Sequence, residues 1–289
     1  MTTNKNTLEH IIHGIFLLMG LVAVGCVLLI TVYLVISGIP AILEIGLIDF
    51  LFGKEWASTA TDPKYGIWAF ILTSIYGTAG AIVIGVPIGF ITAVYLSKIA
   101  SPKVKSMMQS AVSLLAGIPS VVYGLVGMLV LVPGIRKIFG VPDGASLLAA
   151  IIVLAIMILP SIIKMSITAL DAVPKEYEDA SLALGATPIE TYFKVSVPAA
   201  KSGIAAAVVL GVGRAIGEAM AVMMVAGNVP NMPDSIFQSV RFLTTAVSSE
   251  MAYSSGLQQQ ALFSIALVLF LFIMLINATL NFFLKREKE

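Results

Sequence analysis

Arg214 and Glu218 are charged residues set four apart in Gly211-Val212-Gly213-Arg214-Ala215-Ile216-Gly217-Glu218-Ala219-Met220, inside an apolar stretch from Gly203 to Ala226. Counted from Ser202, Arg214 lies about 18 Å along a helix, which is mid-membrane depth if the stretch spans a bilayer. A charge there is costly and is ordinarily used, either pairing inward or lining a water-filled cavity. On a continuous helix Glu218 falls one turn beyond Arg214 on the same face and can neutralise it. Arginine keeps its proton and presents a planar fork of donors suited to oxyanions. Two readings fit: a static pair that locks helices together, or an anion path in which a passing oxyanion competes with Glu218 for Arg214. No Ser/His, metal-ligand or multiple-carboxylate constellation stands in the apolar stretches, so no catalytic residue, metal or cofactor is expected. The lone Cys26 excludes a disulfide framework and a cysteine metal site.

A second constellation has the residues of a docking element. Val173-Pro174 opens a helix that runs through Lys175, Glu176, Tyr177, Glu178, Asp179, Ala180, Ser181 and Leu184 and stops at Gly185. Tyr177, Ala180 and Leu184 share a face, with Glu178 and Asp179 pointing elsewhere. Thr187-Pro188-Ile189-Glu190 then reads as a capping box that starts another helix. Two short amphipathic helices meeting at a sharp turn make a knob that a separate protein can grip.

The elements that position these residues follow from composition. Of 289 residues, 58% are hydrophobic and only 11% charged, against about a quarter charged in soluble domains. Six stretches suit a bilayer core, which needs about 20 apolar residues in helical form: Ile11 to Ile39, Ile67 to Leu96, Met107 to Pro133, Leu147 to Leu170, Gly203 to Ala226 and Ala261 to Leu284. The first is too long for the apolar core of a secretory leader and reads as a retained helix. Six spans place both termini on one side. With the N-terminus inside, ten basic residues lie inside (Lys5, Lys98, Lys103, Lys105, Lys175, Lys194, Lys201, Lys285, Arg286, Lys288) and five outside (Lys54, Lys64, Arg136, Lys137, Arg241). This bias makes the termini and the knob cytoplasmic.

Ala116-Gly117-Ile118-Pro119-Ser120 interrupts the third stretch, as a pore-lining break or a packed proline kink. Gly85 with Gly89, and Gly213 with Gly217, have the four-residue spacing that lets helix backbones approach. Lys164, near the inner end of its span, can snorkel. The long outer segments Pro40 to Gly66 and Gly227 to Gln260 are either connecting loops or a docking surface. A net charge of +1 without a basic block argues against nucleic acid as a partner.

The knob also carries a resemblance. Asp179-Ala180-Ser181, three residues, Gly185, nine residues, Val195, one residue, Val197-Pro198 resembles the EAA loop of ABC importer permeases, whose pattern is Glu-Ala-Ala, then Gly, then Ile, then Leu-Pro at the same spacings. Asp179, Ser181, Val195 and Val197 are mild departures. The resemblance implies that Glu178, Asp179, Ala180, Ser181, Leu184, Gly185, Val197 and Pro198 couple the membrane helices to a cytoplasmic ATPase. No Gly-x-x-x-x-Gly-Lys-Ser/Thr loop occurs, so ATP would be handled on another chain and this chain is no enzyme.

Phe52-Gly53-Lys54-Glu55-Trp56, Tyr65-Gly66-Ile67, Ala116 through Gly124, and Arg214 through Val222 with Gly227-Asn228 resemble the PstC-type permeases of bacterial phosphate-specific ABC importers, over nearly the whole chain. That likeness implies an all-α integral membrane protein: six transmembrane helices, a cytoplasmic coupling-helix elbow between spans 4 and 5, and one permease domain over residues 1–289 in the bacterial inner membrane. It implies a PstA-type second permease, a PstB-type ATPase dimer and a PstS-type phosphate-binding protein as partners. It also implies Arg214 and Glu218 as the substrate path. A permease for sulfate or molybdate, or an ion-coupled secondary carrier, would be the alternatives.

Overall fold

The computed structural model describes residues 3–286 in backbone and residues 9–279, apart from 11, in side chains. It is built of helices: α1 (Thr3–Ile45), α2 (Leu47–Phe52), α3 (Trp68–Val94), α4 (Pro102–Gly117), α5 (Ser120–Val126), α6 (Val132–Phe139), α7 (Leu147–Asp171), α8 (Lys175–Ala183), α9 (Pro188–Thr191), α10 (Val197–Ala199), α11 (Lys201–Gly217), α12 (Met220–Val225), α13 (Leu243–Glu250) and α14 (Gly256–Arg286). Among the described residues, strand is confined to an antiparallel hairpin of Trp56–Ala57 and Lys64–Tyr65 and a lone bridge between Gly227 and Val240.

Among the described residues, five helical stretches are long and apolar enough to cross a membrane: Ile12–Ile45, Trp68–Ile99, Ser120–Phe139, Leu147–Asp171 and Gly256–Thr279. Pro188–Ala199 and Lys201–Gly217, bent by 72°, reach that length only when taken together, and the first of them belongs to the elbow. The third expected span, Met107 to Pro133, is corrected. Ile118 and Pro119 are extended, so α4 ends at Gly117 and the apolar stretch runs from Ser120. A proline cannot donate within a helix and pushes the residue before it out of helical geometry.

The central helix is α7, an almost uniformly apolar segment packed on α3 and α11. Contact with α3 is close because glycines face it. A side chain on Gly85 would strike Ile158 and the Ala155 carbonyl, and one on Gly89 would strike Ile162. Gly211 makes the same provision on α11. In lipid, such van der Waals packing replaces the hydrophobic effect as the force between helices.

Helix α1, apolar on all sides, stands apart and meets α14. Gly38 lies against the backbone of Phe263 and Ser264, Ser264 Oγ donates to the Gly38 carbonyl at 2.5 Å, and Tyr33 meets Phe263 edge-on. The helix continues through Pro40 to Ile45, beyond the expected end at Ile39.

The two long segments, expected as connecting loops or a docking surface, clasp each other. Glu250 accepts from Trp56 Nε1 (3.2 Å), Ser58 Oγ (3.3 Å) and Gln258 Nε2 (3.1 Å) and pairs with Arg241. Arg241 also donates to the Asn228 carbonyl through Nε and Nη2 at 3.0 and 2.9 Å. Phe50, Trp56, Tyr65, Phe70, Leu243 and Leu262 bury one another beneath this network. At the opposite end, Val94, Leu96, Val112, Ile163, Ile167 and Leu170 form the apolar cluster under the elbow.

Candidate functional site

The span carrying Arg214 does not run straight. Helix α11 ends at Gly217, and Glu218 turns extended (φ −73°, ψ 128°) before α12 begins. Glu218 Oε1 accepts the Ala221 N–H at 3.0 Å, and its carbonyl accepts Thr244 Oγ1 at 2.8 Å. Both bonds satisfy backbone groups that a break leaves without helical partners. This corrects the expectation of Arg214 and Glu218 stacked on one helical face. Once the helix is interrupted, four-residue spacing no longer brings side chains together, and among the described residues no ion pair joins these two.

Arg214 instead reaches α7, donating from Nη1 to Ser161 Oγ at 3.3 Å. It lines an open groove of ≈ 670 Å³ with Ser161, Met165, Leu210, Gly213 and Asn277. Guanidinium carries five N–H donors, and Ser161 is the one partner recorded for them among the described residues. Gly213 and Gly217 were expected to pack against another helix. A Cβ on either meets nothing within 4 Å, so within this chain they open the face beside Arg214.

The break between α4 and α5 lies beside this one. Gly124 of α5 sits on Ala221 and Met224 of α12, so close that a Cβ would contact the Ala221 backbone. Tyr123 OH donates to the Leu115 carbonyl at 2.7 Å, satisfying an acceptor freed at the break, and lies within electrostatic reach of Arg214. Two broken helices therefore pack through their half-helices next to a guanidinium, and non-helical backbone at membrane depth is tolerated where it is buried in protein or lines a water-filled cavity. Sequence reasoning found the first break from Gly117 and Pro119. It missed the second, which has no proline, and it missed Ser161 and Asn277; a hydroxyl directly after Pro160 in an apolar helix was the available signal.

The elbow forms as expected. Helix α8 ends before Gly185, whose φ of +88° suits glycine. Thr187 and Glu190 close a capping box, with Thr187 N donating to Glu190 Oε2 at 3.1 Å and Glu190 N to Thr187 Oγ1 at 3.3 Å. Bonds from the Thr187 backbone and hydroxyl and from Lys194 hold the Glu190 carboxyl below the usual carboxylate range. Ser181, a departure from the family pattern, shares a 2.9 Å hydroxyl bond with Thr191 that ties the two elbow helices together.

The elbow has an outer and an inner side. Leu184 is 90% exposed, Tyr177, Leu182 and Ile189 are exposed with it, and Asp179, Ala180, Gly185 and Pro198 are also exposed. Glu178 faces inward, pairing with Lys98 at 2.6 Å and accepting from Ser196 Oγ at 2.8 Å. Lys98 also donates to the Leu170 carbonyl at 3.0 Å, and Val197 packs on the apolar cluster beneath. Asp171, ending α7, takes Ser97 Oγ at 2.6 Å and Lys105 at 2.9 Å. The knob is thus tied to the ends of α3 and α7, and α7 carries the Ser161 that holds Arg214. Among the described residues no group of three or more His, Cys, Asp or Glu is arranged to hold a metal.

Apolar helices interrupted beside a half-buried cation, with an exposed knob tied to the span ends, mark a multi-pass membrane component. The chain belongs to the family of binding-protein-dependent transport system inner membrane components, matching it over residues 85–288. It is 41% identical over 266 residues to the probable ABC transporter permease protein YqgH of Bacillus subtilis (strain 168), covering 89% of this chain and 86% of the relative. It is 33% identical over 242 residues to the phosphate transport system permease protein PstC of Pasteurella multocida (strain Pm70), covering 77% and 75%. Its fold is shared with a chain of the MetNI methionine ABC transporter in inward-facing conformations, at TM-score 0.57 and 22% identity over 76% of this chain and 94% of that one. The chain is an inner-membrane ABC importer permease, a family of transport components that includes the PstC permeases.

Proposed function

We propose that this chain forms half of the translocation path of an ATP-driven importer of inorganic phosphate. The observation that carries the reading is the Arg214 guanidinium, which opens into a groove lined by α7, α11 and α14 with Ser161 as its hydrogen-bond partner. The similarity to PstC permeases supports phosphate as the oxyanion. In this reading residues 1–289 make one permease domain with both termini cytoplasmic. The partners are a PstA-type permease, a PstB-type ATPase dimer that hydrolyses the ATP, and a PstS-type phosphate-binding protein.

Phosphate delivered from outside enters between the two permeases and is drawn to Arg214, whose planar fork matches two phosphate oxygens. Glu218 spends one carboxylate oxygen on the Ala221 N–H. Its other oxygen accepts a hydrogen bond from the protonated oxygen of hydrogen phosphate, and it disfavours sulfate, which would oppose acceptor to acceptor. The exposed elbow residues Asp179, Ala180, Leu184, Gly185 and Pro198 dock on the ATPase, whereas Glu178 and Val197 hold the elbow to the spans and Ser181 holds its two helices to each other. Movement of the elbow reaches α7 through Glu178, Lys98 and the Leu170 carbonyl, and so reaches Ser161 and Arg214.

The test is labelled-phosphate uptake by the assembled complex, with sulfate and molybdate as competitors. Saturable uptake that resists excess sulfate and is lost in Arg214→Ala supports substrate and site together. Preferential uptake of another oxyanion, or uptake without ATP, overturns the phosphate reading. Leu184→Asp should weaken ATPase docking about 30-fold, as for an apolar hot spot, while the permease pair still assembles; undiminished ATPase co-purification would remove Leu184 from the interface.

A further inference from the structure

Helix α7 is apolar along most of its length, yet beyond Ser161 its open side changes character. Lys164 and Thr168 follow at helical spacing, and α4 presents Gln109 and Ser113 across from them. Together these four line a recess of ≈ 300 Å³, floored by Val112, Ile163 and Ile167. No acidic residue is in this lining. Asp171, the carboxylate at the end of α7, is engaged by Lys105 and Ser97. Among the described residues, no hydrogen-bond or ion-pair partner is recorded for the side chains of Lys164, Gln109 or Ser113. Thr168 donates to the Lys164 carbonyl at 3.0 Å. The recess therefore gathers an ammonium, an amide and a hydroxyl with unspent donors, which is the chemistry of an oxyanion site.

We propose that Lys164, with Gln109 and Ser113, forms a second anion station, which receives the transported oxyanion from Arg214 on its way toward the elbow end. This rests on the oxyanion reading above. Lys164 lies three residues past Ser161, about 4.5 Å further along the axis of α7 and about 60° around it, so its recess opens on the α4 side of the helix, next to the face that carries Ser161. A hydrated point charge on a flexible stem binds phosphate less rigidly than a guanidinium fork, which suits a site that must release its ligand. Snorkelling, the role expected from sequence, explains the position of Lys164 but leaves the facing Gln109 and Ser113 without one.

The test is made on the assembled complex in phosphatidylcholine vesicles with Cys26→Ser and Ser113→Cys, labelled by a water-soluble sulfonate thiol reagent. The expected result is labelling that inorganic phosphate slows several-fold when Lys164 is present and does not slow in Lys164→Gln. In uptake, Lys164→Gln should lower the maximal rate about tenfold, the worth of one charge-assisted bond, with its concentration dependence unchanged, and Lys164→Arg should restore most of it. Failure of the reagent to reach Ser113→Cys, phosphate protection that survives Lys164→Gln, or uptake within twofold of wild type would overturn the station. Protection that appears only on adding phosphatidylglycerol would overturn it too, assigning the recess to a lipid headgroup. If the wild-type complex takes up no phosphate but sulfate slows labelling in a Lys164-dependent way, the phosphate reading falls and the station stands.

Discussion

Arg214 and Arg241 are two arginines of one chain put to opposite uses. Arg241 pairs with Glu250, donates twice to the Asn228 carbonyl and lies 5.8 Å from the Phe70 ring centroid. Its partner Glu250 also takes donors from Trp56, Ser58 and Gln258. All three guanidinium nitrogens of Arg241 and both carboxylate oxygens of Glu250 are engaged inside the protein, and the result is a clasp joining the hairpin to the segment after α12. Arg214 has one long bond to a hydroxyl and faces a groove. A satisfied cation holds a fold, whereas a cation left short of acceptors can bind a ligand.

The comparison is most exposed to substitution at Arg214. Arg214→Ala should lower saturable uptake roughly 100-fold, the loss of a bidentate charged contact, with the melting temperature of the complex hardly changed. A large drop in thermal stability instead would make Arg214 a second clasp. The reverse is expected of Glu250→Ala, which leaves Arg241 half-buried without its counter-ion. It should cost roughly 2 to 3 kcal/mol of stability, below the full cost of a deeply buried pair, while the surviving complex transports with normal concentration dependence. Thermal unfolding and uptake measured on the same preparations separate the two.

Ser161→Ala sharpens the contrast from the other side of the Arg214 bond. It should reduce uptake by about three- to fivefold, as expected for one neutral acceptor, because the guanidinium loses its anchor to α7 but keeps its charge. Unchanged uptake would detach α7 from the site. The smallest effect is expected at the exposed Glu190, whose carboxyl is held below its ordinary range by Thr187 and Lys194. A lowered folded value stabilises above the ordinary carboxylate pKa, and the gain is lost as pH falls through that range toward the lowered value. Amide exchange at the start of α9 should therefore quicken on acidification in wild type and be fast and nearly pH-independent, after correction for intrinsic exchange, in Glu190→Gln. An unchanged profile would show that the cap is not held by this charge.

Much of this was open to reading along the chain because it depends on near neighbours. Uncharged length declares a span, Gly185 and the Thr187–Glu190 box declare an elbow, and Pro119 declares a break, each through backbone rules acting within a few residues. An arginine in an apolar stretch is conspicuous for the same reason. What the chain could not disclose were relations between distant segments: Ser161 as the partner of Arg214, Glu178 turned inward to Lys98, Glu250 clasping Trp56, and Gln109 facing Lys164. The break at Glu218 belongs with them, because its freed backbone is satisfied partly by Thr244 from another helix. Local sequence determined where the apolar spans and the elbow lie and which residues in them carry charge. Which charges are spent and which remain for a ligand was decided by tertiary structure, since hydrogen-bond satisfaction depends on what packing brings within 3 Å or so.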